Sequence, residues 1–330
     1  MKIKSRYCGS FFLEKTRFWL ILVIFAKKNM REITVCLFLL VFSTKLFSQG
    51  CSDAGFCSLQ SATIPTHEQT QFVAVSAGYA AGFEDLKYTN ASLEYGFVAN
   101  KNWRFGSKLT FVNAEGTLGN NSGLGDLILS SNYALSKNNA QDWQFLLATK
   151  IPLGTANNKN DGGFALPLDY QNSLGTLDLI IGANLVLDKT WELGSGFQIP
   201  IVRSSINEFE TTAISSSNKF VNTKNYSRKA DVLIRFGYFY NLQKTKLQLK
   251  PNILAIYHLA NDTFQLIENQ TVDIVGSKGL TLNGGLVSTY MVSAKTQLEL
   301  TAAMPFVVRD VRPDGLTRSF VVNLQYKISF

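Results

Sequence analysis

From residue 71 onward, apolar and polar positions alternate with a period of two. That is the spacing of a β-strand with two different faces, not of a helix. The last segment is the clearest. Phe320, Val322, Leu324, Tyr326, Ile328 and Phe330 fall on one face, and Ser319, Asn323, Gln325, Lys327 and Ser329 on the other. The segment before it places Leu298, Leu300, Ala302, Met304, Phe306 and Val308 against Gln297, Glu299, Thr301 and Arg309. Twelve such segments are predicted, at about 71–82, 87–99, 102–114, 123–136, 142–153, 174–188, 190–203, 230–242, 245–259, 279–292, 296–309 and 317–330. Most run for about ten residues or more, longer than an ordinary soluble strand and right for a tilted strand crossing a bilayer. The connections alternate between short ones (100–101, 137–141, 189, 243–244, 293–295) and longer ones (83–86, 115–122, 154–173, 204–229, 261–278, 310–316). The pattern predicts an all-β fold: a transmembrane, antiparallel, up-and-down β-barrel of about 12 strands over residues 71–330. Tight turns lie at its periplasmic end and larger loops at the outer end.

Tryptophan supports this arrangement. Trp103, Trp143 and Trp191 each follow a short connection and sit on the apolar face of a strand, with Phe105, Phe145 and Leu193 two residues on. Amphipathic rings at a shared depth are expected of an aromatic girdle at the headgroup level. Three core tryptophans in a β-sandwich is the alternative, but it gives no reason for their common place after short turns. Alternation alone does not separate a barrel from a sandwich, whose apolar faces meet each other.

The chain of 330 residues carries a formal net charge of +8 with 17% charged and 12% aromatic residues, which excludes a disordered or collagen-like chain. The charge is local. Residues 1–48 hold nine basic and two acidic residues, leaving 23 basic and 22 acidic for the remainder. The body of the chain therefore has no general attraction for nucleic acid. Met30 opens a segment with Arg31, a short apolar run Ile33–Phe42 and Ser48 at a cleavage-like position. It predicts a signal peptide over 30–48, with 1–29 an artefact of start-site choice. Residues 49–70 are expected to form a periplasmic segment or plug. Export leaves Cys51 and Cys57, which can close a small disulfide loop; a lipidated Cys51 is the other reading. Two histidines and scattered cysteines give no metal-ligand pattern, so neither metal nor cofactor is expected.

The final strand, with Tyr326, Ile328 and Phe330, resembles the insertion signal read by the bacterial barrel-assembly machinery. A second resemblance lies at about 120–201. Here GLGD (Gly123–Asp126), the strand end Pro152–Gly154 and LGTLD (Leu174–Asp178) are similar to the outer-membrane family associated with the meta-pathway of phenol degradation, which is grouped loosely with fatty-acid and hydrocarbon uptake channels. The resemblance implies a channel or transporter in the bacterial outer membrane for hydrophobic or aromatic small molecules, with lipid around it and no catalytic residues. Read from the residues alone, the glycines of GLGD allow a tight turn from loop into strand; a phosphate loop would need a Lys and a following helix.

The polar faces place charges of both signs toward the lumen. The candidate lining is Arg104, Lys108, Asp126, Lys150, Arg235, Lys250, Glu299 and Arg309, accompanied by Glu94, Asp178, Asp188, Glu192, Asp231, Lys246 and Lys327. Such residues either pair across the lumen and stiffen it or select permeants by charge. Two other classes of function stay open: a barrel that mainly presents its outer loops, and a lumenal hydrolase built on His258, the one histidine in the strand region.

Overall fold

The computed structural model describes residues 70–138, 140–203, 206–211, 219–242, 245–267, 270–314 and 319–330. The predicted signal peptide, the segment 49–69 and the Cys51–Cys57 pair lie outside the described residues. The elements are β1 (Gln71–Ala81), β2 (Lys87–Val98), β3 (Trp103–Gly116), β4 (Gly119–Asn138), β5 (Gln141–Pro152), β6 (Thr176–Leu187), β7 (Trp191–Arg203), β8 (Asp231–Tyr238), β9 (Tyr240–Asn241), β10 (Leu247–His258), β11 (Thr263–Ile267), β12 (Gln270–Asp273), β13 (Gly279–Met291), β14 (Thr296–Val307) and β15 (Phe320–Ser329).

Every neighbouring pair is antiparallel. The order β13-β14-β15-β1-β2-β3-β4-β5-β6-β7-β8-β10 closes through the β10–β13 pair. The two-residue β9 continues the line of β8 along β10, and β11–β12 form a separate hairpin in the loop between β10 and β13. The result is a closed barrel of twelve staves. Its seam joins β1 to β15, from Phe72↔Ser329 to Ala81↔Phe320.

Burial runs opposite to that of a soluble protein. On β15, Gln325, Lys327 and Ser329 are buried, while Leu324, Tyr326 and Ile328 are 42–46% exposed. On β8, Asp231, Leu233 and Arg235 are buried and Ile234 and Phe236 are exposed. In a sandwich the apolar face would be the buried one. Here the outer skin is apolar and the inside largely polar, which is what hydrocarbon around a closed sheet requires.

The aromatic residues gather on that skin at the short-turn end. Tyr95, Phe97, Phe105, Trp103 and Tyr133 form a run of ring contacts across β2, β3 and β4, with centroids 5.0–6.3 Å apart. Trp143 stacks with Phe145, and Trp191 packs against Phe236 and Tyr238.

Four local expectations need correction. First, the loop predicted over 115–122 is a two-residue turn. The β3–β4 ladder runs on to Gly116↔Gly119, and Gly119 takes φ +141°, open to glycine. The polar segment Gly119–Ser122 shows no alternation because neither of its faces meets lipid there. Second, GLGD is not a loop-to-strand turn. It lies within β4 as a bulge opposite Thr110, whose Oγ1 accepts from the Asp126 N–H (2.9 Å). A Cβ at Gly125 would stand 2.5 Å from that oxygen. Third, the eighth segment is interrupted at Phe239, opposite the stretch of β10 where Pro251 cannot donate to the ladder. Fourth, a bulge at Pro305–Val307 turns Phe306 and Val307 both outward and ends β14, so Arg309 leaves the strand.

The outer loops are not merely solvated surface. Leu118, Leu166, Tyr170, Phe209 and Phe220 pack on Leu86 and Tyr88 at the strand ends. Leu168, Leu174, Tyr226 and Ile274 form a second apolar cluster beside them. Loop side chains thus fold over the outer mouth.

Leu324 occupies the middle of β15 on the exposed face. We expect Leu324→Arg to destabilise the barrel in lipid vesicles by about 2–4 kcal/mol, measured by equilibrium denaturant unfolding. The lumenal Gln325→Ala should cost much less. Equal effects would contradict a hydrocarbon-facing skin.

Candidate functional site

Two groups of charges occupy the barrel interior. The outer group joins the three sequence motifs described above. Lys150, at the end of β5, lies 3.0 Å from Asp178 of LGTLD and 3.7 Å from Asp126 of GLGD. Asp126 shares the inward face of β4 with Ile128, and Ser173 Oγ donates to its carboxylate at 2.5 Å. Gly154, closing the Pro152–Gly154 strand end, packs where a Cβ would meet the Leu124 carbonyl at 2.2 Å. Asp178 also accepts from Gln198 Nε2 (2.6 Å) and faces Arg228 at 3.7 Å.

Arg228 extends the network to the loops. It pairs with Asp231 (2.6 Å) and approaches Asp314 (3.6 Å), which in turn holds Arg309 at 2.5 Å. Burial by itself would lower the Arg228 pKa, but Asp231, Asp314 and Asp178 raise it well above the ordinary value. Burial pushes the Asp314 carboxyl up, yet Arg309 and Arg228 outweigh it and hold the group well below the usual carboxylate range. Tyr226, fully enclosed beside them, is pushed up by burial and then by Asp262 and Asp314, so it stays a neutral phenol.

His258 sits between two carboxylates, with Nδ1 at 2.7 Å from Asp231 and Nε2 at 2.8 Å from Asp262. Ser277 Oγ accepts from the Asp262 N–H and donates to the Ile274 carbonyl, so it is not aligned on the imidazole. With both ring nitrogens engaged, this histidine has no free nitrogen with which to activate a hydroxyl. The arrangement ties the loop carrying Asp262 to the wall strand β8.

The inner group lies toward the short-turn end. Glu192 on β7 contacts Lys250 (3.2 Å) and Arg235 (4.0 Å). Lys250 also stands over the Phe239 ring at 5.2 Å. Glu94 accepts from Gln325 Nε2 (3.2 Å), and Glu299 lies within 3.5 Å of Thr289 and Gln297. Lys327 rests over the ring of Phe72 at 4.7 Å. Arg104 and Lys108 lie on the same face of β3.

Between the groups the wall is apolar. Ile128, Ala148 and Ile180 pack with Leu146, which also touches the Leu233 and Leu254 cluster. The lumen is therefore banded: charges outside, aliphatic side chains in the middle, charges again inside.

Of the sequence candidates, Asp126, Lys150, Arg235, Lys250, Glu299, Arg104 and Lys108 lie on inward faces. Arg309 belongs to the loop network beyond β14. Asp188 and Lys246 lie exposed in or beside the short connections, not on a lumenal face, because the strands end before them. Sequence reasoning missed Arg228, Asp262 and Asp314. They belong to long connections with no periodicity, and only the inward folding of those loops brings them to the strands. A small cavity of about 30 Å³, room for one water, lies beside this network between Asp126, Asp169, Asn172, Ser173 and Asp314.

No family model and no curated protein matches the chain. Among solved structures, an outer membrane channel from Pseudomonas putida F1 is similar, with TM-score 0.55 and 14% identity over 79% of this chain and 96% of that one. The NanC porin (TM-score 0.45, 11% identity, 78% and 98%) and the KdgM porin (0.42, 6%, 78% and 99%) are more distant. The first likeness places the fold among bacterial outer-membrane barrels.

Two consequences can be measured. Asp314→Asn leaves Arg309 and Arg228 buried with less countercharge, and we expect a loss of about 3–5 kcal/mol in denaturant unfolding. The acid response follows from the depressed carboxyl. Its stabilisation is full above the unfolded-state pKa of about 4 and is lost as pH falls toward the lower folded value. Amide exchange near Asp314 and Arg228 should therefore be flat from pH 7 to about 4.5, once corrected for intrinsic exchange rates, and should rise below that.

Proposed function

We propose that the protein is a channel of the bacterial outer membrane whose lumen passes small molecules, with hydrophobic or aromatic compounds as permeants. The observation that carries this reading is the inverted burial of a closed barrel. An apolar skin with an aromatic belt at one end suits lipid, and a side-chain-lined interior is a route across it. The aliphatic band at Ile128, Leu146, Ile180 and Leu233 supports permeants with an apolar body. The resemblance of GLGD, the Pro152–Gly154 strand end and LGTLD to the phenol meta-pathway family points the same way. In this reading Trp103, Trp143 and Trp191 sit at the periplasmic headgroups. Tyr326, Ile328 and Phe330 are the surface offered to the barrel-assembly machinery.

A loop-presenting barrel is the second reading, favoured by the apolar and ionic packing that fills the outer mouth. Permeation distinguishes the two. Proteoliposomes should swell in isotonic small solutes and planar bilayers should show conductance steps. Arg228→Met, which unties loop from wall, should raise the open fraction. A barrel that is folded by heat-modifiable gel mobility yet sealed in both assays, with and without Arg228→Met, would select the loop-presenting reading.

A further inference from the structure

His258 ends β10 and faces Asp231, the first residue of β8, with Nδ1 at 2.7 Å from Asp231 Oδ1. Its Nε2 lies 2.8 Å from Oδ1 of Asp262, at the base of the loop between β10 and β13. Ionised carboxylates only accept, and a neutral imidazole carries a single N–H. Asp231 takes that N–H, while its other oxygen is paired with Arg228 at 2.6 Å. A second proton therefore lies in the Nε2–Oδ1 contact, because a nitrogen lone pair so close to a carboxylate oxygen would repel it. Whether the ring or Asp262 carries it, the pair holds one proton more than a neutral histidine beside a carboxylate.

Asp262 depends on that proton. Asp178, Asp231 and Asp314 have Lys150, Arg228 and Arg309 as ion-pair partners. Among the described residues, His258 alone comes within ion-pair distance of Asp262, which is fully enclosed and keeps Oδ2 without a hydrogen bond. The other charged and titratable groups around the histidine are engaged elsewhere. Arg228, from the β7–β8 connection, holds Asp231, and Arg309, beyond β14, holds Asp314. Tyr226 is a neutral phenol, Lys229 offers Asp262 its backbone N–H, and Lys278 is exposed. Loss of the proton thus leaves an enclosed carboxylate facing a lone pair. The loop relieves this by carrying Asp262 to water.

Asp262 is also a joint between outer loops. It accepts the Lys229 N–H (2.8 Å), donates its own N–H to Ser277 Oγ (2.8 Å) and accepts the Ile274 N–H on its carbonyl (2.8 Å). Thr263, beside it, bridges to Ser227, and Ile274 packs with Leu168, Leu174 and Tyr226. Movement of Asp262 loosens the β11–β12 hairpin and its attachment to the β7–β8 connection together.

We infer that the proton shared by His258 and Asp262 is a latch on the outer mouth: while it is bound the loops are held to the wall, and its loss at rising pH releases them. The inference rests on the channel reading for its bearing on permeation. The release itself does not depend on conduction. The latch stabilises the closed arrangement at low pH. That contribution falls as pH rises through the titration of the pair, by up to about tenfold in the closed-to-open ratio per pH unit.

The test is hydrogen exchange read by mass spectrometry on the folded barrel in detergent, between about pH 6 and about pH 9. On peptides covering 259–278, the rate corrected for intrinsic exchange should climb with pH, by up to about tenfold per unit. Peptides from β1 to β3 should stay flat. His258→Gln, which has no proton to lose, should exchange fast throughout and show no slope; Asp262→Ala should lose the slope as well. A flat profile in the unaltered protein, or a slope that persists in folded His258→Gln, would overturn the latch. If His258→Gln does not fold, the unaltered profile and Asp262→Ala decide. In planar bilayers the open fraction should rise over the same pH range. Exchange that rises with pH in a barrel that never conducts leaves the latch standing and counts against the channel reading; conductance with a flat exchange profile does the reverse.

Discussion

Closure of the backbone hydrogen-bond ladder is the constraint from which the rest follows. In hydrocarbon, an N–H or C=O without a partner costs several kcal/mol. A strand therefore crosses only if both its edges are paired. Here the pairs β10–β13 and β1–β15 leave no stave with an open side over the paired lengths. Once the sheet is closed, the inside and outside of every strand are fixed by the pleat. The apolar set must face lipid and the polar set must face inward, away from hydrocarbon. The places where the ladder is broken are those where proline or a bulge intervenes, and each re-aims a side chain. The GLGD bulge puts Leu124 on the outer face, and the bulge at Pro305 releases Arg309 to the loops.

An interior of this kind has to neutralise itself. Lys150 is 2% exposed and Asp178 fully enclosed, so each would be strongly disfavoured alone. Linked through Arg228 to Asp231 and Asp314, they become one network that also carries the outer loops. The same pairs that settle the lumenal charge thus hold the mouth in one arrangement. Below them the aliphatic band needs no such balance and packs by contact.

The histidine illustrates how geometry narrows chemistry. His258 is the residue on which a hydrolytic reading would depend, and its polar-face position allowed one. Its two ring nitrogens instead reach Asp231 and Asp262, and the loop hydroxyl of Ser277, which holds the Asp262 N–H, is committed to backbone partners. The side chain works as a tie between strand and loop.

Much of the barrel is written in the sequence, because a strand between lipid and lumen must repeat every two residues. The twelve segments and the placement of Trp103, Trp143 and Trp191 on the outer face come from that one rule, and Glu192, Arg235 and Lys250 follow from it as inward residues. The rule fails where lipid ends. Gly119–Ser122 pairs without alternating, and Arg228, Asp262 and Asp314 sit in connections with no period at all. A period of two also leaves the register between neighbouring staves open, so the meeting of Asp126, Lys150 and Asp178 on β4, β5 and β6, with Lys150 directly opposite Asp178, had no linear signature. The sequence by itself determined a closed sheet with an apolar outside. Which interior charges meet was decided by tertiary structure, since ion pairing depends on distances of a few ångströms that only barrel curvature, bulges and inward-folded loops establish.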